Sequence, residues 1–259
     1  MTRSTLVLHL CALAVALLIT ACAESPTGRN QLLLVSEEQM AAMGDQAFQQ
    51  MKQEKPRVDN ATTSEYVNCV ARTITGAISS SYNWEVAVFE DDAVNAFALP
   101  GGNIGVFTGL LKVTKNQHQL AAVIGHEVAH VIARHSAARV SSQLATELGV
   151  SILAAGTGMD PRLIGTGADL LLSLPYSRGD ETEADRLGLQ YMARAGFDPR
   201  ESVDLWRNMA QEGGARPPEF LSTHPSPGSR IRDLQEYMPS AVQTYQQARA
   251  AGRRPQCVP

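Results

Sequence analysis

Apolar residues recur at helical spacing along most of the chain, and a short alternating pattern typical of strands lies among them. The first helix is predicted to begin at the Ser36 cap, and its stripe of methionines is typical of core packing. Further helices are predicted over 61–79, about 117–155, 160–174, 179–196, 198–211 and 228–237. The pattern favours one α+β domain that is mostly helical.

The strand-forming region precedes the long helix predicted from residue 117. The segment "WEVAVFE" (84–90) alternates Trp84, Val86 and Val88 with other residues, which predicts a strand. Two short apolar runs then flank Pro-Gly-Gly-Asn, which predicts a hairpin around 94–106. Its glycines indicate a turn and not a phosphate-binding loop, because no G-x-G-x-x-G pattern opens a helix here. We therefore expect a small antiparallel sheet.

The N-terminus has the pattern of a secretory signal peptide over residues 1–21. Arg3 precedes a short apolar run, and "ITAC" then resembles a bacterial lipobox that ends at Cys22. Cys22 is the predicted lipidation site, and Ala23 after it favours the outer membrane by resemblance to lipoprotein sorting. The alternative is an ordinary signal peptide in which Cys22 is incidental.

The mature chain is predicted to divide into three parts. Residues 22–34 are polar and turn-rich and predict a tether, residues 35–237 form the folded domain, and residues 238–259 form a polar tail. Beyond the signal peptide, no stretch has the length needed to span a bilayer, so we expect no membrane-spanning helix in the mature chain.

Composition and cysteine content narrow the class of protein. The 259 residues are 44% hydrophobic and carry a formal charge of −4, and no basic run is interleaved with aromatics, so we expect no nucleic-acid partner. In an oxidising compartment, the remaining Cys69 and Cys257 predict a disulfide between the tail and an early helix. The alternative is two unpaired thiols.

The segment "IGHEVAHV" (124–131) places three ionisable side chains in an apolar helix. His126 and His130 are four residues apart and therefore share one face, where both imidazoles can reach one zinc ion. Glu127 is displaced around the helix and can reach a water beside the metal without being a ligand. The alternative is a pair of core histidines, with Glu127 paired to an arginine.

A catalytic zinc needs a third protein ligand, which "YSRGDETEAD" can supply. Glu181 and Asp185 share one helix face, so one carboxylate can bind zinc while the other orients a ligand histidine. Glu183 is the rival ligand, and a solvated acidic helix start is the alternative. His135 is predicted to lie half a turn off the ligand face, at the surface or in the core.

Four motifs together, "NAFALPGG", "GHEVAH", "SRGDETEAD" and "THPSPGSRI", resemble the HtpX-like zinc metallopeptidases over roughly residues 35–237. The similarity is to the periplasmic lipoprotein branch of LoiP and BepA type. It implies a zincin-like gluzincin fold with an active-site helix and one zinc ion per chain. The implied roles are ligands at His126, His130 and Glu181, a general base at Glu127, and a second catalytic or orienting acid at Asp185.

Two further parts of the site are predicted less directly. His224 or Arg230 in "THPSPGSRI" is a candidate donor to the oxyanion, and in some relatives a histidine on this loop closes the zinc site as a latch. The hairpin that carries Asn95 and Phe97 is the predicted substrate platform, because an edge strand can pair with an extended peptide. The alternative is a purely stabilising hairpin.

These features predict a zinc metalloendopeptidase that a lipid on Cys22 anchors to the periplasmic face of the outer membrane. Its predicted substrates are unfolded or misassembled envelope proteins. Two alternatives stay open: a latent or non-proteolytic chaperone or assembly factor on the same scaffold, and a structural lipoprotein in which the zinc motif arose by chance.

Overall fold

The computed structural model describes residues 22–155, 171–212, 219–225 and 228–259. The predicted signal peptide and most of the helix predicted over 160–174 lie outside them. The strands are β1 (Cys22–Glu24), β2 (Asn30–Leu32), β3 (Glu85–Phe89), β4 (Ala96–Leu99) and β5 (Asn103–Phe107). The helices are α1 (Glu37–Glu54), α2 (Ala61–Thr75), α3 (Thr108–Val113), α4 (Gln117–Ile132), α5 (His135–Ala155), α6 (Arg178–Arg194), α7 (Glu201–Glu212), α8 (Glu219–Thr223) and α9 (Arg230–Ala250).

A three-stranded sheet in the order β3-β5-β4 stands beside the helices. Strands β4 and β5 form the predicted antiparallel hairpin, and the turn between them places Gly101 and Gly102 at φ values of +93° and +97°, which favour glycine. Strand β3 pairs parallel with β5, so the prediction of a wholly antiparallel sheet was wrong. The chain reverses twice between β3 and β5, once before β4 and once in the hairpin turn, and the two strands therefore run in the same direction.

An aromatic cluster joins the sheet to α1. The rings of Phe48, Phe89, Phe97 and Phe107 meet with centroids 6.0–6.4 Å apart. A Cβ at Gly105 would lie 2.2 Å from the Phe97 ring, so glycine leaves the space that this ring fills. The cluster fixes β4 against the domain.

Helix α4 is the central helix and is buried along most of its length. It begins at Asn116, whose side chain accepts hydrogen bonds from the amides of His118 and Gln119. The continuous helix predicted over 117–155 breaks at Arg134, where φ is +58°, and α5 starts at the next residue. Apolar periodicity continues across the break, so the pattern alone does not show it.

Both ends of the described chain are more ordered than predicted. The segment predicted as a tether forms the antiparallel hairpin β1-β2, and α9 continues to Ala250 where a short helix near 228–237 was expected. A disulfide joins Cys69 on α2 to Cys257, as proposed from the sequence. Within the described residues, no helix combines the length and apolarity needed to cross a bilayer.

Candidate metal centre

Two helices bring three candidate metal ligands together in the interior. Helix α4 carries His126 and His130, whose Nε2 atoms are 3.1 Å apart, and α6 carries Glu181. The Glu181 carboxylate lies 3.5 Å from the His126 Nε2 and 3.4 Å from the His130 Nε2. All three side chains are at most 2% exposed, so their polar atoms face one another in a water-poor site.

The spacing of these atoms fits a zinc ion. Nitrogen and oxygen ligands at zinc's usual bond lengths in a tetrahedron are about 3.3 Å from one another. The two Nε2 atoms are 3.1 Å apart, and Glu181 presents Oε2 at 3.5 Å from that of His126 and Oε1 at 3.4 Å from that of His130, all close to that value. Imidazole nitrogen and carboxylate oxygen are also the ligand types that zinc takes in catalytic sites.

His224 stands at the fourth position of the cluster. Its Nδ1 lies 3.3 Å from the His126 Nε2 and 3.1 Å from the Glu181 Oε1, and its ring stacks on Phe220. One donor atom from each of these four residues lies within 4.8 Å of the others: His126, His130, Glu181 and His224. The position that a substrate or water would use is therefore filled by a side chain.

Asp185 and Arg230 form a hydrogen-bond network with the candidate ligands His126 and Glu181. The Asp185 Oδ1 lies 2.9 Å from the His126 Nδ1, and the Arg230 Nε donates to the Asp185 Oδ2 at 2.6 Å. Arg230 also donates through Nη2 to Glu181. Arg230 is 1% exposed, which fits an orienting role better than that of an exposed donor, although its Nη1 has no partner among the described residues.

Burial and neighbouring charges set the protonation of the two histidines. Burial alone would lower the pKa of His126, but its bonds with Asp185 and Glu181 outweigh burial and raise that pKa to about 10. Burial holds the pKa of His130 well below its ordinary value.

Glu127 lies beside the cluster but is not one of its four candidate ligands. Its Oε2 accepts a hydrogen bond from the Ala98 amide on β4 at 3.2 Å. Its Oε1 is buried without a hydrogen-bond partner among the described residues and lies 3.5 Å from the His224 Nε2. Burial raises the pKa of this carboxyl group. A buried carboxylate oxygen with no partner is suited to accept a proton from a group that binds there.

His135 lies in the core and is not a candidate ligand, which is one of the two positions expected for it, but its contacts with His130 and Glu183 were not predicted from the sequence. His135 is fully buried; its Nδ1 lies 2.9 Å from the His130 Nδ1, and its Nε2 lies 3.2 Å from the Glu183 Oε2. Glu183, the rival ligand, lies outside the metal cluster and supports His135 instead. Burial opposes the charged form of Glu183, but hydrogen bonds from His135 and the β1-β2 turn hold its pKa well below the ordinary value.

The predicted substrate hairpin borders a cavity of about 170 Å³ that reaches Glu127 and His224. Asn95 lines it, and its amide donates to Glu219 at 2.9 Å. Phe97 also lines the cavity, but its ring lies in the aromatic cluster and is 8% exposed. Strand β4 forms the edge of the sheet, and its Ala98 amide is the one that donates to Glu127.

A helix bearing His-Glu-x-x-His, an acidic residue from a second helix and an adjoining small sheet define a zincin-like metal centre. The sequence model of peptidase family M48 matches residues 60–238, and the chain belongs to that family. Zinc is the metal of this family.

Relatives support the same assignment. The chain is 41% identical over 182 residues to the mitochondrial metalloendopeptidase OMA1 of Schizosaccharomyces pombe, which covers 69% of this chain and 54% of that protein. It is 32% identical over 215 residues to the beta-barrel assembly-enhancing protease of Yersinia pestis, which covers 77% of this chain and 44% of that protein. The chain thus spans about half the length of the relatives that it matches.

Proposed function

We propose that this chain is a zinc-dependent metalloendopeptidase. The observation that carries the proposal is the position of Glu127, whose buried Oε1 has no hydrogen-bond partner among the described residues and lies 3.5 Å from the Nε2 of His224, a member of the metal cluster. A structural zinc site has no use for such an oxygen, whereas peptide hydrolysis requires a base beside the metal. When bound, zinc supplies the Lewis acidity that polarises a peptide carbonyl and acidifies water.

Side chains of this chain carry out the proton transfers and orient the catalytic groups. Glu127 takes a proton from the attacking water and delivers it to the leaving amine. Its raised pKa suits both steps, because it weakens the preference of the carboxyl group for the ionised form. The Ala98 amide holds the other carboxylate oxygen and so aims Glu127 at the site. Asp185 acts through His126, which it keeps in the tautomer that presents Nε2 to the metal.

The proposed substrates are unfolded or misassembled proteins of the bacterial envelope. Strand β4 offers backbone groups at a sheet edge, and main-chain pairing selects extended peptides with little dependence on sequence. One relative is named a beta-barrel assembly-enhancing protease, which supports a role in the quality control of such proteins. The lipobox-like "ITAC" supports a lipid anchor at Cys22 on the periplasmic face of the outer membrane.

Activity is tested on the full chain purified in detergent with its bound zinc quantified. An unfolded, alkylated protein is the substrate, and Glu127→Gln is the matched variant because it keeps the shape of the side chain. We expect Glu127→Gln to retain zinc and to lose at least about 100-fold in cleavage rate. Equal proteolysis by both zinc-loaded proteins would refute the mechanism.

The anchor is tested separately. Mass spectrometry of the purified chain should find an acyl group on Cys22, and Cys22→Ser should release the chain from the membrane fraction. An unmodified Cys22, or membrane association that is unchanged in Cys22→Ser, would contradict the lipoprotein assignment.

A latent form is the second candidate, and the position of His224 favours it. Because His224 fills the fourth position of the ligand cluster, the site is closed to substrate in this conformation. His224→Ala should raise the cleavage rate if His224 is a latch and lower it if His224 is a catalytic donor, and an unchanged rate would discard both roles. Full zinc content without proteolysis in any of the proteins would support a non-proteolytic chaperone or assembly factor.

A further inference from the structure

The two ligand histidines on α4 are supported in different ways. His126 contacts the carboxylate of Asp185 directly, with 2.9 Å between Nδ1 and Oδ1. On the side away from Glu181, the His130 Nδ1 contacts a second histidine, His135, whose Nε2 lies 3.2 Å from the Glu183 carboxylate and 3.9 Å from that of Asp180. The support of His130 is therefore a chain of two hydrogen bonds that passes outside the metal cluster.

The chain of bonds has one proton arrangement that leaves His130 able to bind metal. The Nε2 of His130 faces the cluster and needs a free lone pair, so its Nδ1 carries the proton and donates to the Nδ1 of His135. His135 then accepts at Nδ1 and carries its own proton on Nε2, which it donates to Glu183. The Glu183 carboxylate, held in place as the last acceptor of this chain of bonds, thus sets the tautomer and orientation of His130.

Glu183 is in turn fixed by the N-terminal hairpin β1-β2. The amide and hydroxyl of Thr27 donate to its Oε1 at 3.2 and 2.7 Å, and the Arg29 Nη1 donates to its Oε2 at 2.9 Å. Arg29 also contacts Asp180, which belongs to the capping box at the start of α6. Residues about 150 positions away in sequence therefore satisfy both oxygens of Glu183.

A second contact of the hairpin acts on the metal-binding helix itself. The Gln31 side chain donates to the backbone oxygen of Ala133 at 2.9 Å, at the C-terminal cap of α4. This carbonyl lies at the break before α5, where Arg134 adopts its positive φ and turns the chain toward His135. The hairpin thus holds both Glu183 and the helix end that positions His135.

We propose that the hairpin β1-β2 is a positioning element of the metal centre, in which Thr27 and Arg29 hold Glu183 so that His135 orients His130. The inference rests on the proposed function only in taking zinc as the metal. Partners that orient metal ligands in this way are worth about 10- to 100-fold in metal affinity. The segment that was predicted to be a tether then helps to orient a metal ligand.

The test measures metal affinity and not catalysis. The full chain is stripped of metal, its zinc affinity is measured by competition with a chelator, and cobalt(II) is added as a spectroscopic probe of ligand geometry. Arg29→Ala should weaken zinc binding about 10-fold and alter the visible cobalt spectrum, and Arg29→Lys should restore part of the loss. Asn30→Ala, at an exposed position of the same hairpin, is the matched control and should bind zinc as the parent chain does.

A double substitution separates positioning from general stabilisation. If Arg29 acts through His135, Arg29→Ala should cost no further zinc affinity in a His135→Phe background whose fold is verified by circular dichroism. An equal loss in both backgrounds would overturn the inference, and so would unchanged affinity in Arg29→Ala. A chain that binds zinc but shows no Glu127-dependent proteolysis would end the proposed function and leave this inference standing.

Discussion

The two metal-binding helices pack backbone to backbone at a pair of glycines, and enlarging one of them tests how far the site depends on that contact. Gly125, next to the candidate ligand His126 on α4, faces Gly188 on α6, which lies about two helical turns after Glu181. A Cβ added at Gly188 would lie 2.7 Å from the His126 amide nitrogen and 2.9 Å from the Gly125 carbonyl carbon. Both atoms are backbone, so they cannot rotate away as a side chain would.

The expected magnitude follows from that overlap. Ordinary contact begins at 3.4 Å, so Gly188→Ala should push α4 and α6 apart by about 0.7 Å near the contact. Overpacking of this kind costs about 1–3 kcal/mol, and alanine regains about 1 kcal/mol of helix propensity. We expect a net loss of up to about 2 kcal/mol in the free energy of unfolding. Ligand distances in metal sites vary by only about 0.2 Å, so zinc affinity should fall at least 10-fold.

Urea unfolding of the metal-free chain and chelator competition of the refolded chain measure the two effects separately. Gly228→Ala is the control, because a Cβ at that position meets nothing within 4 Å. Zinc affinity in Gly188→Ala equal to that in the control would show that the site does not depend on the glycine contact, and the argument would then be refuted.

Three further predictions concern other parts of the structure. Replacing Cys69 and Cys257 with serine should lower the free energy of unfolding by about 5 kcal/mol in urea titrations, because the bond joins residues 188 positions apart; an unchanged midpoint would contradict this. Removing zinc with a chelator should lower the melting temperature and abolish proteolysis, and added zinc should restore both. Tyr176 stacks on His130 with ring centroids 3.9 Å apart, so Tyr176→Ala should weaken zinc binding while Tyr176→Phe, which keeps the ring, should not. If both variants weakened zinc binding to the same extent, the stacked ring would not be what supports His130.

Local periodicity was sufficient for the parts of the site that lie on one helix. The spacing of His126 and His130 places both imidazoles on one face of α4 wherever that helix packs, and the same holds for Glu181 and Asp185 on α6. The β4-β5 hairpin followed from its glycine turn for the same reason. In each case the geometry depends on a few consecutive residues.

The break between α4 and α5 could not be predicted from the periodicity of apolar residues. Apolar residues continue at helical spacing through Arg134, so a straight helix was predicted and His135 was placed off the ligand face. The single positive φ at Arg134 turns the chain back, and the Nδ1 of His135 reaches the Nδ1 of His130. Tertiary contacts such as the Gln31 bond to Ala133 stabilise a conformation that the local pattern does not encode.

The sequence by itself determined which residues can share a helix face, and hence that a pair of histidines and a nearby glutamate were available for zinc. Only the tertiary structure decided that Glu181 meets those histidines while Glu183 supports His135, and that His224 closes the cluster. It also decided that Thr27 and Arg29 lie behind the site. The reason is physical: contacts within a helix follow from its 3.6-residue repeat, whereas contacts between distant segments depend on how whole elements pack.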